Sequence, residues 1–370
     1  LKQRNYMPII EIPAAEESEL PIVKNVDKLV KTTGLVDLQV NGFGGVDFNT
    51  PGITQDSLEH SLETMLASGV TTCLPTIITG SETHLLNCLY DLETVRNSSD
   101  LAKTMIAGYH LEGPFLSALP GFSGCHSVKA MGGVNLEMFL RLQEAAGGNI
   151  NLVTLAPEVE GALKFIEKLV GDGVIVALGH TAAGTEKIRE AVKAGALLST
   201  HLGNGTSSEL QKNDNPIIAQ LGEDQLSASF IADGYHLSQE VLKVYLRAKC
   251  SERVILITDA TAGASATPGS YRLGELELLL GSEPVIYDQQ TSRPLGSAVT
   301  LDQCVRNVMR WYDVSLDEAV SWASENPLKL FSSSKANSLI TEGERTVWWK
   351  EEKDGWTVKA AQSGKFLYTA

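Results

Sequence analysis

The sequence predicts an α/β protein: a TIM-like (β/α)8 barrel carrying a small β domain built from the N- and C-terminal segments. Three observations carry this. Short apolar runs alternate with amphipathic helical patterns from residue 34 onward, the rhythm of a parallel barrel. Run after run ends in a histidine or a carboxylate, and such barrels keep their chemistry at the C-terminal ends of their strands. The chain has 370 residues, 43% of them hydrophobic, enough for one barrel core and an appendage. A doubly wound sheet is the rival, but it gives no reason for reactive residues after strand upon strand.

Taken in order, Pro8-Ile9-Ile10-Glu11-Ile12 reads as one short strand in an otherwise weakly patterned N-terminus. The first barrel strand is Leu35 to Asn41, closed by Gly42-Phe43-Gly44-Gly45. A helix from Ile53 to Ser68 follows, then the β-branched strand Val70 to Leu74, ended by Pro75. After the helix Ser81 to Arg96, Met105 to Glu112 forms the third strand, and Gly113-Pro114 stops it. Leu136 to Ala146 is helical, and Ile150 to Leu155 is the fourth strand. Leu163, Ile166, Leu169 and Val170 share a helical face. Val174 to Leu178, Leu197 to Thr200, Leu226 to Ile231 and Val254 to Thr258 are the remaining strands. Between them lie a helix capped by Thr185 and stopped at Gly195, and another from Leu237 to Ala248. Arg272 to Asp288 reads as a β-hairpin insertion. Thr300 to Trp311 and two short helices opened by Ser315 and Asn326-Pro327 follow. From Ser338 short strands with turns return. Residues 34–332 are therefore expected as the barrel, and 1–33 with 333–370 as the small β domain.

Composition narrows the function. The net charge of −15 disfavours nucleic acid or an anionic membrane surface as partner. No apolar run approaches a membrane span. The five cysteines are scattered without a C-x-x-C pair, so neither a zinc ribbon nor a disulfide framework is indicated. A reducing, cytoplasmic setting fits.

Of only seven histidines, His60 and His84 lie on helices and read as ordinary packing or surface residues. The other five (His110, His126, His180, His201, His236) follow strands or sit in the loops after them. His110 and Glu112 are two apart on one strand and share a face. A satisfied core histidine beside a surface glutamate explains that stretch alone; it does not explain the set. With Glu112 and Asp259 on the same rim, the set points to metal-assisted hydrolysis. A divalent ion takes imidazole nitrogen and carboxylate oxygen and keeps a position open for water. Glu112, His180 and His201 supply three such ligands. Asp259 is placed to take a proton from water and return it to a leaving amine. His126 and Gly203-Asn204-Gly205 offer hydrogen bonds to an oxyanion or substrate.

On these motifs the chain resembles the N-acetylglucosamine-6-phosphate deacetylase family of the amidohydrolase superfamily. The resemblance covers residues 34 to about 332. It rests on Asp37-Leu38-Gln39-Val40-Asn41-Gly42, His110 to Phe115, Leu178-Gly179-His180-Thr181, Thr200-His201-Leu202, Ala232 to His236, Thr258-Asp259-Ala260-Thr261 and Leu295-Gly296-Ser297-Ala298. It implies hydrolysis of the acetamide of N-acetylglucosamine 6-phosphate to the free amine and acetate. Glu112, His180 and His201 match the family's metal ligands, Asp259 its acid/base, and His126 the histidine that polarises the substrate amide. Asn204, Gly205 and His236 match substrate contacts, and Lys212, Gln39 and Asn41 are expected on the substrate side with them. Gln39 and Asn41 stand where many superfamily members carry H-x-H for a second metal. Amides are poor zinc ligands, so one divalent ion per subunit is expected, Zn2+ with Fe2+, Co2+ or Mn2+ as alternatives. A homodimer is expected.

The departures bear on substrate identity. The position of the family's phosphate-binding arginine reads as Asn213, with Lys212 the nearest cation. The usual Pro-Gly before the first barrel strand is Thr33-Gly34, and the usual C-terminal Ala-Asp-Leu strand is not recognisable in Gly343 to Trp348. Two alternatives stay open: deacetylation of an unphosphorylated or different N-acetyl amino sugar, and a non-catalytic scaffold of the same fold.

Overall fold

The computed structural model describes residues 10–11, 29–289, 294–332, 334 and 343–370. Eight parallel strands form one sheet in sequence order. They are β1 (Leu35–Val40), β2 (Val70–Ile78), β3 (Tyr109–Glu112), β4 (Ile150–Leu155), β5 (Ile175–Leu178), β6 (Leu198–Ser199), β7 (Ser227–Ile231) and β8 (Val254–Ile257). Almost every residue in them is buried on both faces, which is why the runs read as continuously apolar rather than alternating. A helix follows each strand: Gln55–Ala67, Glu82–Ser98, Leu136–Ala145, Ala162–Gly171, Thr185–Ala194, Pro216–Leu221, Gln239–Lys249 and Leu301–Tyr312.

The sheet closes between its first and last strands. Val40 bridges Ala260, Asp259 N donates to Gln39 O at 2.9 Å, and Asn41 N donates to Ala260 O at 2.7 Å. Below this seam, Asp37 accepts from the Thr258 hydroxyl at 2.6 Å and from the Thr258 amide at 3.2 Å. The fold is the expected TIM-like barrel.

Several local expectations are corrected. Pro75 does not end β2, which runs on to Ile78. The β1–β2 register shifts beside it, and the Thr76 hydroxyl accepts from Val40 N at 3.1 Å, so the ladder is carried around the missing donor. Met105 closes a short helix, Asp100–Met105, instead of opening β3. The helix cap expected at Thr185 is Gly184, and the free Thr185 amide and hydroxyl donate to Asp214 at 2.7 and 2.8 Å. The hairpin expected over 272–288 is a four-stranded antiparallel sheet, Gly269–Leu273, Leu276–Leu280, Val285–Asp288 and Pro294–Ser297, inserted between β8 and its helix.

The small β domain is a five-stranded antiparallel sheet that interleaves the two termini, in the order Ile10–Glu11, Phe366–Thr369, Gly355–Ser363, Arg345–Glu352, Leu29–Thr33. The strand read over 8–12 appears within it as Ile10–Glu11; the rest of that stretch, and residues 338–342, lie outside the described residues. Arg345 ties the sheet to the barrel by donating to Thr71 O at 2.9 Å and Thr104 O at 3.0 Å. Thr71 is at the start of β2, so this docking is at the opposite end of the barrel from the strand C-termini.

Candidate active site

Glu112 is the last residue of β3, and His180, His201 and Asp259 each stand two residues past the end of β5, β6 and β8. All three of the latter have left-handed backbone, with φ of 49°, 30° and 49°. This conformation is costly for a non-glycine residue and is concentrated at functional sites. The repeated turn delivers all four side chains to one cavity of about 390 Å3, which His126, Asn204, Gly205 and His236 also line. That volume suits a small-molecule ligand.

The donors converge on Glu112. Its Oε1 lies 2.9 Å from His201 Nε2 and 3.5 Å from His180 Nε2, and its Oε2 lies 3.7 Å from His126 Nε2. The donor atoms of Glu112, His126 and His180, a set in which His126 stands in place of His201, all lie within 4.8 Å of one another. Ligands around a tetrahedral zinc ion sit about 3.4 Å apart, so these separations fit an ion. The chemistry of the donors fits as well. His180 Nδ1 meets the Phe122 carbonyl at 2.8 Å, which assigns its ring hydrogen to Nδ1. Its Nε2 lone pair therefore faces a carboxylate oxygen, an arrangement that a cation between them reconciles. Two glycines allow the ring its place. A Cβ on Gly205 would come within 2.5 Å of the His180 ring and one on Gly124 within 2.7 Å. Both glycines also have positive φ.

Burial alone would raise the Glu112 carboxyl, but the hydrogen bond from His201 at 2.9 Å opposes it, and Glu112 stays well below the usual carboxylate range. Burial works against the charged form of His201 too, yet Glu112 and then Asp259 draw its pKa up. Asp259 is pushed by burial up to about 6, against the pull of His201, His236 and Asn41. A carboxylate there is a usable proton acceptor near neutral pH. His126 is held at about 3, chiefly by burial, and is neutral. The Thr79 hydroxyl sits 2.8 Å from His126 Nδ1, which leaves Nε2 as the ring nitrogen open to a ligand. That Nε2 is buried without a partner among the described residues.

His236 is fixed by Asp233, whose Oδ2 lies 2.6 Å from its Nδ1. Asn204 spends its amide group on His201 O at 3.2 Å. Other expected residues lie elsewhere. Gln39 and Asn41, expected against the substrate, both donate their side-chain amides to Asp259. Asn41 also lines the cavity, and Gln39 does not. Lys212 is exposed and outside the cavity lining, and Asn213 lines a separate surface depression with Arg189 and Lys193. No lysine or arginine lines the cavity among the described residues. His110 is buried between the Thr76 and Thr154 hydroxyls, one layer below the site. Sequence reasoning missed Thr79, the Phe122 carbonyl, and the apolar wall of Ile78, Leu273, Leu276 and Leu295. Nothing in the local sequence marks the first two, which act only once distant segments meet. The apolar wall comes with the inserted sheet.

Comparison with known proteins adds an independent line. The pattern of the amidohydrolase family matches residues 30–346. An N-acetylglucosamine-6-phosphate deacetylase of Caenorhabditis elegans is 29% identical over 370 residues, spanning 96% of this chain and 86% of that protein. An N-acetylgalactosamine-6-phosphate deacetylase of Shewanella is 29% identical over 338 residues, spanning 91% and 83%. Among solved structures, a mutant N-acetyl-D-glucosamine-6-phosphate deacetylase of Mycobacterium smegmatis in complex with N-acetyl-D-glucosamine-6-phosphate superposes with a TM-score of 0.80 at 28% identity, covering 91% of this chain and 87% of that one.

Proposed function

Because the chain belongs to the amidohydrolase family, and within it to the N-acetylglucosamine-6-phosphate deacetylases, we propose that it hydrolyses the acetamide of N-acetylglucosamine 6-phosphate to the free amine and acetate. The observation that carries this reading is the convergence of Glu112, His180, His201, His126 and Asp259 on one cavity. Glu112, His180 and His201 would hold one divalent ion, taken as Zn2+. When bound, such an ion lowers the pKa of water and polarises a carbonyl. The chain's own residues do the rest. His126 Nε2 donates to the amide oxygen as negative charge develops on it. Asp259 takes the proton of the attacking water and delivers it to the amine nitrogen as the C–N bond breaks. His236, Asn204 and Gly205 hold the sugar.

A second reading concerns the phosphate. Without a lysine or arginine in the described cavity lining, an unphosphorylated N-acetyl amino sugar is the alternative substrate. The barrel at 34–332, a small domain of 1–33 with 333–370, a homodimer and a cytoplasmic setting complete the proposal. No helix among the described residues is long and apolar enough to cross a membrane. The test is release of acetate and free amine from N-acetylglucosamine 6-phosphate by the metal-loaded protein; no release above the metal-only control contradicts the reading.

A further inference from the structure

We propose that Gln39 and Asn41 are positioning residues for Asp259: together they occupy one of its two carboxylate oxygens and leave the other to carry the proton. This rests on the deacetylase reading, in which Asp259 is the acid/base.

The geometry is specific. Gln39 Nε2 donates to Asp259 Oδ1 at 3.1 Å, and Asn41 Nδ2 donates to the same oxygen at 2.7 Å. Residues two apart on a strand share a face, so the Gln-x-Asn spacing at the end of β1 turns both amides toward the seam. The main chain enforces the approach from the other side. Asp259 N donates to Gln39 O, and Asn41 N donates to Ala260 O. Asp37, two residues before Gln39, holds Thr258 by its hydroxyl and amide. Asp37, Gln39 and Asn41 therefore form one ladder that fixes Thr258 and then the side chain of Asp259. Asn41 Oδ1 is buried and has no partner among the described residues, so the donation to Asp259 is the hydrogen bond that orients this side chain.

The chemical consequence follows from the shared target. An oxygen that accepts two hydrogen bonds is a poorer base than its free twin. Oδ1 is held as an acceptor, and the proton taken from water resides on Oδ2. A freely rotating carboxylate would present either oxygen, so the clamp also removes a rotational freedom before the reaction. The amides thus have a role toward Asp259 that needs neither a second metal nor a substrate contact.

The test is a double-mutant cycle on the metal-loaded enzyme, using Gln39→Met and Asn41→Leu, which keep shape and remove the donor. Each variant is expected to lose roughly 10-fold or more in kcat, the scale of a charge-assisted hydrogen bond. Metal content stays at the wild-type level. For Gln39→Met, KM is unchanged, because Gln39 does not line the cavity. In an Asp259→Asn background, neither substitution is expected to lower kcat further. A raised KM with unchanged kcat would overturn the proposal in favour of substrate binding. Lost metal would overturn it in favour of ligand support. Full additivity with Asp259→Asn would show action independent of Asp259. Near-normal kcat for Asp259→Asn alone would instead sink the acid/base assignment on which the proposal rests. Should Asn41→Leu fail to fold, Gln39→Met decides alone.

Discussion

His180 Nε2 faces Glu112 Oε1 at 3.5 Å while its Nδ1 is engaged by the Phe122 carbonyl at 2.8 Å. Two electron-rich atoms are thereby held face to face in a buried place, the arrangement of a pair that shares a cation. The expected outcome is about one tightly held divalent ion per chain. Chelation should abolish activity, and a divalent metal should restore it. Elemental analysis finding two tightly bound ions, or none after metal-replete purification, would count against the site as drawn.

His126 and His201 both reach Glu112, at 3.7 and 2.9 Å, yet their proposed roles differ. His201→Ala is expected to lose the metal. His126→Ala is expected to keep it and to lose about 10²-fold or more in kcat, the scale of a removed oxyanion donor. Metal content measured beside kcat separates the two. A metal-free His126→Ala protein would make His126 a ligand instead.

Gly205→Ala places a methyl group within 2.5 Å of the His180 ring at a backbone φ of +58°. The ring must shift, so metal affinity is expected to fall roughly 10-fold or more, as for other groups that orient ligands. Competition against a fluorescent zinc chelator reads this directly. Unchanged affinity would mean that the loop, not the imidazole, gives way.

The phosphate sets the sharpest question about the substrate. A charge near −2 would enter a cavity in which no lysine or arginine is found among the described residues. Thr206 and the backbone around Gly205 offer hydrogen bonds without charge. If these and His236 suffice, kcat/KM for N-acetylglucosamine 6-phosphate should exceed that for N-acetylglucosamine by at least ~10-fold, the worth of one charge-assisted contact. Equal or reversed values favour the unphosphorylated substrate and leave the hydrolytic mechanism untouched. Lys212→Ala should leave the ratio unchanged, since Lys212 does not line the cavity.

Much of this was legible in the sequence because barrel strands are buried on both faces. Each strand shows as an apolar run, and a polar residue at its end stands out. Glu112, His180, His201 and Asp259 were readable for that reason. His110 was less so. It shares a face with Glu112, but spacing along a strand does not say how deep in the barrel a residue lies, and His110 sits one layer down between two threonines. The contacts of Gln39 and Asn41 were hidden, because their partner is about 220 residues away and meets them only when the barrel closes. Lys212 lies outside the cavity lining, on a loop shaped by contacts such as Thr185 with Asp214. Nothing in the local pattern announces them.

The role of Asp259 as acid/base is tested by kcat for acetate release from N-acetylglucosamine 6-phosphate by metal-loaded wild-type and Asp259→Asn proteins, with metal content measured on both. Equal metal and a loss of at least ~10²-fold in kcat are expected for the variant. Near-normal kcat in a metal-replete Asp259→Asn protein would contradict that role.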